Sequence, residues 1–298
     1  MQRIIFSEEY CRHQHLYPFT YIRQMVDIRV GILTIREKWE KLLGVPSADK
    51  WEDTYKDGPG AVKIHPEMEE DDCLLLHSNI IPTRELADAV LQLKPGQALS
   101  SKDHSGFAFR FTRKQILGLH KVKVEEMLEF EGQVQELQHP WQLFEWNDQE
   151  IRKDFQLITN GRKSAQAGES NKLYHPDNIF IEPGAVITGA SLNAKTGPIY
   201  IGKNAEVMEG ALIRGSFALC DNAVVKMGTK IYGATTVGPY SVVGGEIKNS
   251  ILMGYSNKAH DGYLGDAVIG EWCNIGAGSS CSNLKNNASS VRIWNYYT

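Results

Sequence analysis

The sequence predicts two domains, an α/β domain followed by an all-β solenoid, and three observations lead to this prediction. The chain has 298 residues, a length at which two domains can each bury a core. In its second half an aliphatic side chain recurs at every sixth position from Ile201 to Val243. In its first half, strand-like and helix-like patterns alternate, which is typical of an α/β layer.

The first domain is predicted to span residues 1–158. Short apolar runs predict strands at Arg3–Phe6, Leu74–Leu76 and Phe107–Thr112. Start and stop signals predict helices from the capping box Thr34–Glu37 to Gly44, from Pro82 to Gly96, and from Asp148 to Ile158. Residues 159–177 are polar and contain Gly, Ser, Asn and Pro, so we interpret them as a linker.

The second domain, residues 178–298, contains the six-residue repeat. Neither a helix nor an ordinary strand has this period, so we expect short coils stacked into a solenoid. The aliphatic positions of the unbroken run are Ile201, Val207, Ile213, Leu219, Val225, Ile231, Val237 and Val243. Each would point inward onto its equivalent in the next coil, where burial contributes roughly 1.5–3 kcal/mol.

The repeat loses its phase after Val243 and regains it at Ile269 and Ile275. We interpret residues 244–268 as a loop thrown out of a regular solenoid. The coils would supply rigidity and the loop would supply side chains, so we expect a binding site in this segment.

Composition and charge exclude several classes of function. With a net charge of −4 and no cluster of Lys and Arg, no nucleic-acid or membrane-surface partner is expected. No run approaches the roughly 20 apolar residues of a membrane span, and acidic residues stand where a signal peptide is apolar, so we expect a cytoplasmic location. The five cysteines are odd in number and widely spread, which favours reduced thiols. Cys11-x-His13-x-His15 lacks an evident fourth ligand, and we expect no metal site there.

The pattern of the repeat resembles that of the hexapeptide-repeat proteins. An aliphatic residue is often followed by Gly, and a small residue comes at the fifth position of most hexads, with Phe217 as an exception. The resemblance covers about residues 179–298. It implies a left-handed parallel β-helix that assembles as a homotrimer.

The interruption carries a more specific resemblance. Four short segments are similar to the acetyltransferase half of the bifunctional GlmU family (N-acetylglucosamine-1-phosphate uridyltransferase and glucosamine-1-phosphate acetyltransferase). These segments are Glu246-Ile247-Lys248, His260 to Asp266, Asn274 to Gly278, and Ser282-Asn283-Leu284. Their order, and the spacing from Lys248 to His260, agree with that family.

This resemblance implies acyl transfer from acetyl-CoA to the amine of an amino-sugar phosphate. His260 would be the general base, because imidazole side chains exchange protons near neutral pH. The substrate would be bound by Lys248, Tyr263, Asn274 and Glu246, and acetyl-CoA by Asn283, Ala277 and Gly278. Lys248 would contact the sugar phosphate as a point charge, and backbone N–H groups would stabilise the oxyanion.

Two departures from the family pattern alter these expectations. Tyr232 stands where the family has an Arg that binds phosphate. Family members also continue for several coils beyond the position of Thr298, and those coils help to bind CoA and close the solenoid. We therefore expect either that the sequence is truncated or that a partner covers the apolar end of the solenoid.

The first domain resembles the nucleotidyltransferase domain of the same family, and within it a group from Bacteroidetes-type bacteria. The family signature G-x-G-T-R-x-x-P-L-T falls on residues 11–20, where Leu16 to Thr20 match but Cys11 and His13 replace glycines. A side chain at a glycine position blocks the approach of backbone to phosphate. The Pro-Lys pair that follows in the family falls on Gln24-Met25.

A second family position has also changed. Ser78-Asn79 stands where the family has a metal-holding Gly-Asp, and Mg²⁺ prefers a carboxylate to an amide. We therefore expect a degenerate Rossmann-like nucleotidyltransferase fold, with Mg²⁺ as cofactor only if this domain is active.

Three functions remain open at this point. The first is a transferase of sugar-nucleotide metabolism, serving cell-envelope precursors, that acylates an amino-sugar phosphate with His260 as base. The second is a sugar-1-phosphate nucleotidyltransferase that transfers uridylyl or thymidylyl groups. The third is a non-catalytic trimeric scaffold or sugar-nucleotide sensor.

Overall fold

In the computed structural model the chain folds as two compact units, and the structure describes residues 3–8, 11–47, 72–112, 124–282, 284–290 and 292. The first unit comprises Met1–Ile28 and Thr34–Gln138, and the second comprises Arg29–Leu33 and His139–Thr298. The segment 140–158, which is predicted to belong to the first domain, therefore lies in the second unit.

The first unit contains a mixed β-sheet. Its strands are β1 (Arg3–Ser7), β2 (Asp72–His77), β3 (Ile80–Ile81), β4 (Gln97–Ser101), β5 (His104–Thr112), β6 (Glu126–Glu129) and β7 (Gln135–Glu136). Five of them form one sheet in the order β1-β2-β5-β4-β6, and β3 pairs separately with β7. The pair β1–β2 is parallel, whereas β5 is antiparallel to both of its neighbours.

Two helices of this unit begin where the sequence predicts. Helix α1 (Ile35–Leu43) starts at a capping box, in which the Thr34 side chain accepts from the Glu37 N–H and Glu37 accepts from the Thr34 N–H. It ends at Gly44, which has a φ of 68°. Helix α2 (Arg84–Gln92) starts at Thr83, whose hydroxyl accepts from the Leu86 N–H. These side chains satisfy N–H groups that a helix end leaves unpaired.

The second unit is a parallel β-solenoid. Its strands are β8 (Lys172–Tyr174), β9 (Ile179–Ile181), β10 (Val186–Ile187), β11 (Ser191–Asn193), β12 (Ile199–Ile201), β13 (Glu206–Val207), β14 (Leu212–Arg214), β15 (Phe217–Leu219), β16 (Val224–Val225), β17 (Lys230–Tyr232), β18 (Thr235–Val237), β19 (Val242–Val243), β20 (Glu246–Leu252), β21 (Asn257–Lys258) and β22 (Tyr263–Ile269). Strand β8 already belongs to this solenoid, although the sequence analysis interpreted residues 159–177 as a linker.

The six-residue repeat forms the core of the solenoid, as predicted. Aliphatic side chains of successive coils pair in register and are buried. The three rows are Ile181, Ile201, Leu219, Val237; Ile187, Val207, Val225, Val243; and Leu192, Ile213, Ile231, Ile247. Stacking identical shapes in this way keeps the interior close-packed.

The predicted loop at residues 244–268 is wrong, because the solenoid continues through this segment. Strand β20 pairs with β17 at Ile247 and with β18 at Leu252, so one seven-residue strand replaces two short strands. The row that contains Val243 continues with Lys258. A shortened coil and a lysine at an inward position together hide the phase of the repeat.

Helix α3 (Pro140–Thr159) lies against the solenoid, and it begins earlier than Asp148, the predicted start. Pro140 occupies its first turn, where a missing N–H does no harm. The Gln142 side chain accepts from the His139 N–H at 2.7 Å. The added turns carry Leu143 and Asn147, which are both buried.

Two polar side chains of α3 hold the segment Arg29–Leu33 in the second unit. Asp154 Oδ2 accepts from the N–H groups of Ile32 and Leu33 at 2.8 and 3.0 Å. Asn147 Oδ1 accepts from the Gly31 N–H at 2.8 Å. These buried groups therefore have hydrogen-bond partners, which offsets the loss of water around them.

Three aromatic rings stack along one corner of the solenoid. Tyr240, Tyr255 and Trp272 have φ angles of 56°, 50° and 59°, a region that bulky residues rarely adopt. The ring centroids are 5.2 Å apart for the first pair and 4.6 Å for the second, with interplanar angles of 8° and 10°. In the two preceding coils Asn204 and Asn222 occupy this corner. We call these three rings the aromatic ladder.

Within the residues that the structure describes, no helix is both long and apolar enough to cross a membrane.

Candidate functional site

The predicted base, His260, lies at an exposed corner of the solenoid that is built by close backbone packing. A Cβ on Gly244 would come within 2.2 Å of the Ala259 carbonyl oxygen, and one on Gly262 within 2.1 Å of the Ser279 carbonyl oxygen. Both positions therefore require glycine, and Gly262 also has a φ of 128°. The His260 ring forms no hydrogen bond or ion pair with the described residues. The His260 ring is therefore accessible to a ligand and has no hydrogen bond to these residues that a ligand would have to replace.

Three predicted substrate-binding residues lie on the face that adjoins this corner. In the parallel pair β20–β22, Glu246 lies opposite Tyr263 and Lys248 lies opposite Gly265. A Cβ on Gly265 would come within 2.3 Å of the Tyr263 hydroxyl oxygen, so the Tyr263 ring lies over this glycine. The alternation of a strand turns all four residues outward.

Lys248 is only loosely held on this face. Its Nζ lies 3.7 Å from Asp266 Oδ2, while Asn249 donates to Asp266 Oδ1 at 2.6 Å. A partly exposed ion pair of this length contributes little, so the ammonium remains available to an anionic ligand. Asp266 belongs to the motif noted in the sequence, but its contact with Lys248 was not predicted.

Glu246 is engaged by the residue that replaces the family's phosphate-binding Arg. The Tyr232 hydroxyl donates to Glu246 Oε1 at 2.6 Å, and this hydrogen bond is the main reason why the pKa of Tyr232 rises to about 12. Tyr232 is therefore a neutral donor to a carboxylate and supplies no positive charge.

Asn274 lies on the other side of the corner. It forms a parallel bridge with Asn257 of β21, and its Oδ1 accepts from the Asn257 side chain at 2.9 Å. Asn274 is exposed, so the structure places it near the corner but not on the face of Lys248 and Tyr263.

The residues predicted to bind acetyl-CoA follow in the next coil. Gly278 donates its N–H to the Asp261 carbonyl at 3.1 Å, and both Ala277 and Gly278 are exposed. Asn283 lies outside the described residues. The corner therefore contains His260 and two of these three predicted residues.

In the first unit, the predicted nucleotide-binding loop follows β1. The parallel strands β1 and β2 end at Ser7 and His77, and the carboxyl ends of such strands are where α/β sheets bind ligands. The structure brings the two altered family positions together there, because Cys11 Sγ donates to Asn79 Oδ1 at 3.3 Å. Burial raises the pKa of Cys11 to about 12, so its thiol stays protonated at neutral pH.

Both ends of the Asn79 amide are in use. Its Nδ2 donates to Glu136 Oε1 at 2.7 Å, and the other Glu136 oxygen lies 2.8 Å from His104 Nε2. Burial alone would raise the pKa of Glu136, but hydrogen bonds from His104, Asn79 and Gln138 lower it. This carboxylate is therefore ionised and already bonded inside the protein.

Glu8 fills the space at the start of the loop. Its Oε1 accepts from the Met25 N–H at 2.5 Å, and its Oε2 lies 3.1 Å from His13 Nε2 without hydrogen-bond geometry. Burial raises the pKa of Glu8 to about 7 and lowers the pKa of His13. A carboxyl group of the protein itself thus occupies the Met25 N–H.

The donor set of this loop does not fit Mg²⁺. Asn79, Glu8 and Glu136 are hydrogen-bonded to other protein groups. The Cys11 thiol donates to Asn79, and the His13 ring lies next to Glu8. In the described ranges, no group of three or more His, Cys, Asp and Glu residues could hold a metal ion.

A family model described as sugar nucleotidyl transferase matches residues 4–163. The chain belongs to this family. The match covers more than half of the sequence and includes both altered loop positions. The nucleotidyltransferase resemblance that the motifs indicated is thereby confirmed at the level of the family.

Curated relatives that carry the GlmU name are similar to part of this chain. The bifunctional protein GlmU of Rippkaea orientalis is 31% identical over 149 residues, which cover 43% of this chain and 33% of that protein. The same-named protein of Cyanothece sp. is 28% identical over 152 residues, covering 43% and 33%. That of Thermus thermophilus is 29% identical over 148 residues, covering 39% and 30%. The chain thus spans about a third of the length of these relatives.

This family membership places the chain among the transferases of sugar-nucleotide metabolism. Its two candidate sites differ in what they offer a ligand. In the loop after β1 the side chains of Glu8, Cys11 and Asn79 are bonded internally, whereas the His260 ring is exposed and the Lys248 ammonium on the adjoining face has only a long ion pair with Asp266.

Proposed function

We propose that the solenoid unit transfers an acyl group from acetyl-CoA to the amine of an amino-sugar phosphate, with His260 as general base. The supporting observation is the exposed, uncommitted His260 ring at a corner that adjoins the face of Lys248 and Tyr263. The similarity to relatives named bifunctional protein GlmU supports a transferase function.

In this reaction a protonated amine cannot attack, so His260 takes a proton from the amine as its nitrogen adds to the thioester carbonyl. The C–N bond forms, the C–S bond breaks, and the proton passes from His260 to the departing thiolate. Lys248 holds the phosphate as a point charge, and Tyr263 orients the sugar ring. Asn274 and Glu246 contact the sugar from the two sides of the corner, and backbone N–H groups stabilise the oxyanion.

The test is release of CoA thiol when the full chain is mixed with acetyl-CoA and an amino-sugar 1-phosphate. We expect His260→Asn to lower kcat at least ~100-fold, because general-base catalysis contributes about 10²–10⁴-fold. His175→Asn is the matched control, since His175 is also exposed on the solenoid and should leave the rate unchanged. A fully active His260→Asn variant would overturn the proposal.

A second candidate function is sugar-1-phosphate nucleotidyl transfer by the first unit, which family membership favours. Pyrophosphate release from UTP or dTTP with a sugar-1-phosphate, with and without Mg²⁺, tests it. We expect little release, because Glu8 and Asn79 are already bonded within the loop.

A third candidate is a non-catalytic scaffold or sugar-nucleotide sensor. For all three candidates we infer a homotrimer formed through the solenoid. Light scattering after size-exclusion chromatography measures the assembly. A thermal-shift screen with CoA, UTP, dTTP and sugar phosphates separates the candidates, because any ligand of the native state raises Tm.

A further inference from the structure

Lys258 occupies an inward position of the solenoid. In the row to which it belongs, Val207, Val225 and Val243 precede it in register. Its side chain is only 2% exposed. An ammonium at such a position is unfavourable unless its hydrogens are bonded, so its presence in a row of aliphatic residues requires an explanation.

The ammonium bonds to two backbone carbonyls of the His260 corner. Lys258 Nζ donates to the Gly244 oxygen at 3.1 Å and to the His260 oxygen at 2.5 Å. The first carbonyl belongs to one coil and the second to the next. Lys258 therefore ties the two coils together at the residue whose ring is the proposed base.

The two bonds restrict the backbone of His260. A buried carbonyl without a partner is unfavourable, and hydrogen bonds from a charged donor are stronger than neutral ones. Burial lowers the pKa of Lys258, while Asp261 acts in the opposite direction. Losing the ammonium would let the His260 carbonyl turn, and the ring would turn with it.

We propose that Lys258 is a positioning residue, whose ammonium fixes the His260 carbonyl and so directs the ring toward the substrate. This inference rests on the proposed acyl transfer. It explains why the solenoid interior contains a lysine at this one coil of the row.

Lys258→Met separates positioning from stability. Methionine fits an apolar row and removes a buried charge, whereas the Gly244 and His260 carbonyls lose their donor, so the two effects on stability oppose each other. We expect Tm to change little, KM values to change less than about twofold, and kcat to fall about tenfold or more. Val243→Ile is the control, since it perturbs the same row without touching the two bonds.

Two results would overturn the inference: an unchanged kcat, or a fall in kcat that only follows a fall in Tm. If Lys258→Met does not fold, Lys258→Gln, which keeps donor hydrogens without charge, replaces it with an intermediate expected loss.

A readout without turnover keeps this test separate from that of the proposed function. NMR signals of the His260 ring, assigned with His260→Asn, are expected to broaden or shift in Lys258→Met. If wild-type protein transfers no acyl group but the ring signals change, only the proposed function fails. If the ring signals are identical in both proteins, the positioning role is wrong.

Discussion

The loop after β1 and the His260 corner differ in the burial and the hydrogen bonding of their polar side chains. Around the loop, Glu8 and Cys11 are largely buried, and they bond to Met25 and Asn79. At the corner, His260 is exposed and has no bonded partner among the described residues. A ligand of the loop must first displace internal hydrogen bonds, whereas a ligand of the corner meets free groups. The two regions therefore differ in how many internal hydrogen bonds a ligand would have to replace.

The largest effect is expected at the glycine that forms the corner. Gly262→Ala would place a Cβ 2.1 Å from the Ser279 carbonyl oxygen at a φ of 128°. We expect a loss of about 3 kcal/mol or more in the free energy of unfolding of the solenoid, measured by urea denaturation.

Gly228→Ala is the control for this effect. Gly228 has a φ of 67° but nothing within 4 Å of its Cβ position, so we expect a loss of only about 1 kcal/mol. Equal losses in the two variants would show that close packing does not define the corner.

The next effect concerns the buried carboxylate of the loop. Burial raises the pKa of Glu8 from 4.5 to about 7, so the folded state binds a proton more tightly than the unfolded state. Its stabilising contribution is therefore full below pH 4.5 and is lost as the pH rises through about 7.

Glu8→Gln should remove this pH dependence. At pH 8 we expect the variant to be more stable than wild type, by up to about 3 kcal/mol, since one pKa unit corresponds to about 1.4 kcal/mol. Urea midpoints at pH 5 and pH 8 measure it, with Glu85→Gln on an exposed helix surface as control. If the free energy of unfolding depended on pH in the same way in wild type and Glu8→Gln, Glu8 would not be buried in the loop as described.

A smaller effect is expected at Lys248. Lys248→Met should raise KM for the amino-sugar phosphate about tenfold or more, because a hydrogen bond to a charged group contributes about 1.5 kcal/mol or more and about 1.4 kcal/mol corresponds to tenfold. KM for acetyl-CoA should stay the same. Lys230→Met, an exposed lysine in the preceding coil, should change neither value. An unaltered KM in Lys248→Met would remove Lys248 from the site.

The smallest effect is expected at Tyr232. Tyr232→Phe removes the hydrogen bond to Glu246 on a partly exposed face, so the free energy of unfolding should fall by about 1 kcal/mol or less. A loss above about 2 kcal/mol would mean that the hydrogen bond between Tyr232 and Glu246 is as well buried as those in the loop of the first unit.

Local signals in the sequence were sufficient for several elements. The Thr34–Glu37 capping box and Thr83 set the starts of α1 and α2, because a helix start depends on side chains next to it. The period of six gave the rows of the solenoid for a similar reason. The motif made His260, Lys248 and Tyr263 candidate site residues, and the structure places them at one corner and on the face that adjoins it.

Features that depend on distant residues were not predictable. Arg29–Leu33 joins the second unit through hydrogen bonds to Asp154, which lies more than a hundred residues away in the sequence. The continuity of the coils through residues 244–268 was missed because Lys258 does not look like a core residue. Its carbonyl partners become visible only once the coils are stacked.

The aromatic ladder allows the stacking of the solenoid coils to be followed by spectroscopy. Each of its three rings belongs to a different coil, and centroid separations of 5.2 and 4.6 Å bring the rings close enough for their electronic transitions to couple. Excited tyrosines would pass energy to Trp272, and the near-ultraviolet circular dichroism would contain a band that no isolated ring gives. That band disappears when adjacent coils slip out of register. This band therefore reports whether the coils next to the His260 corner are assembled.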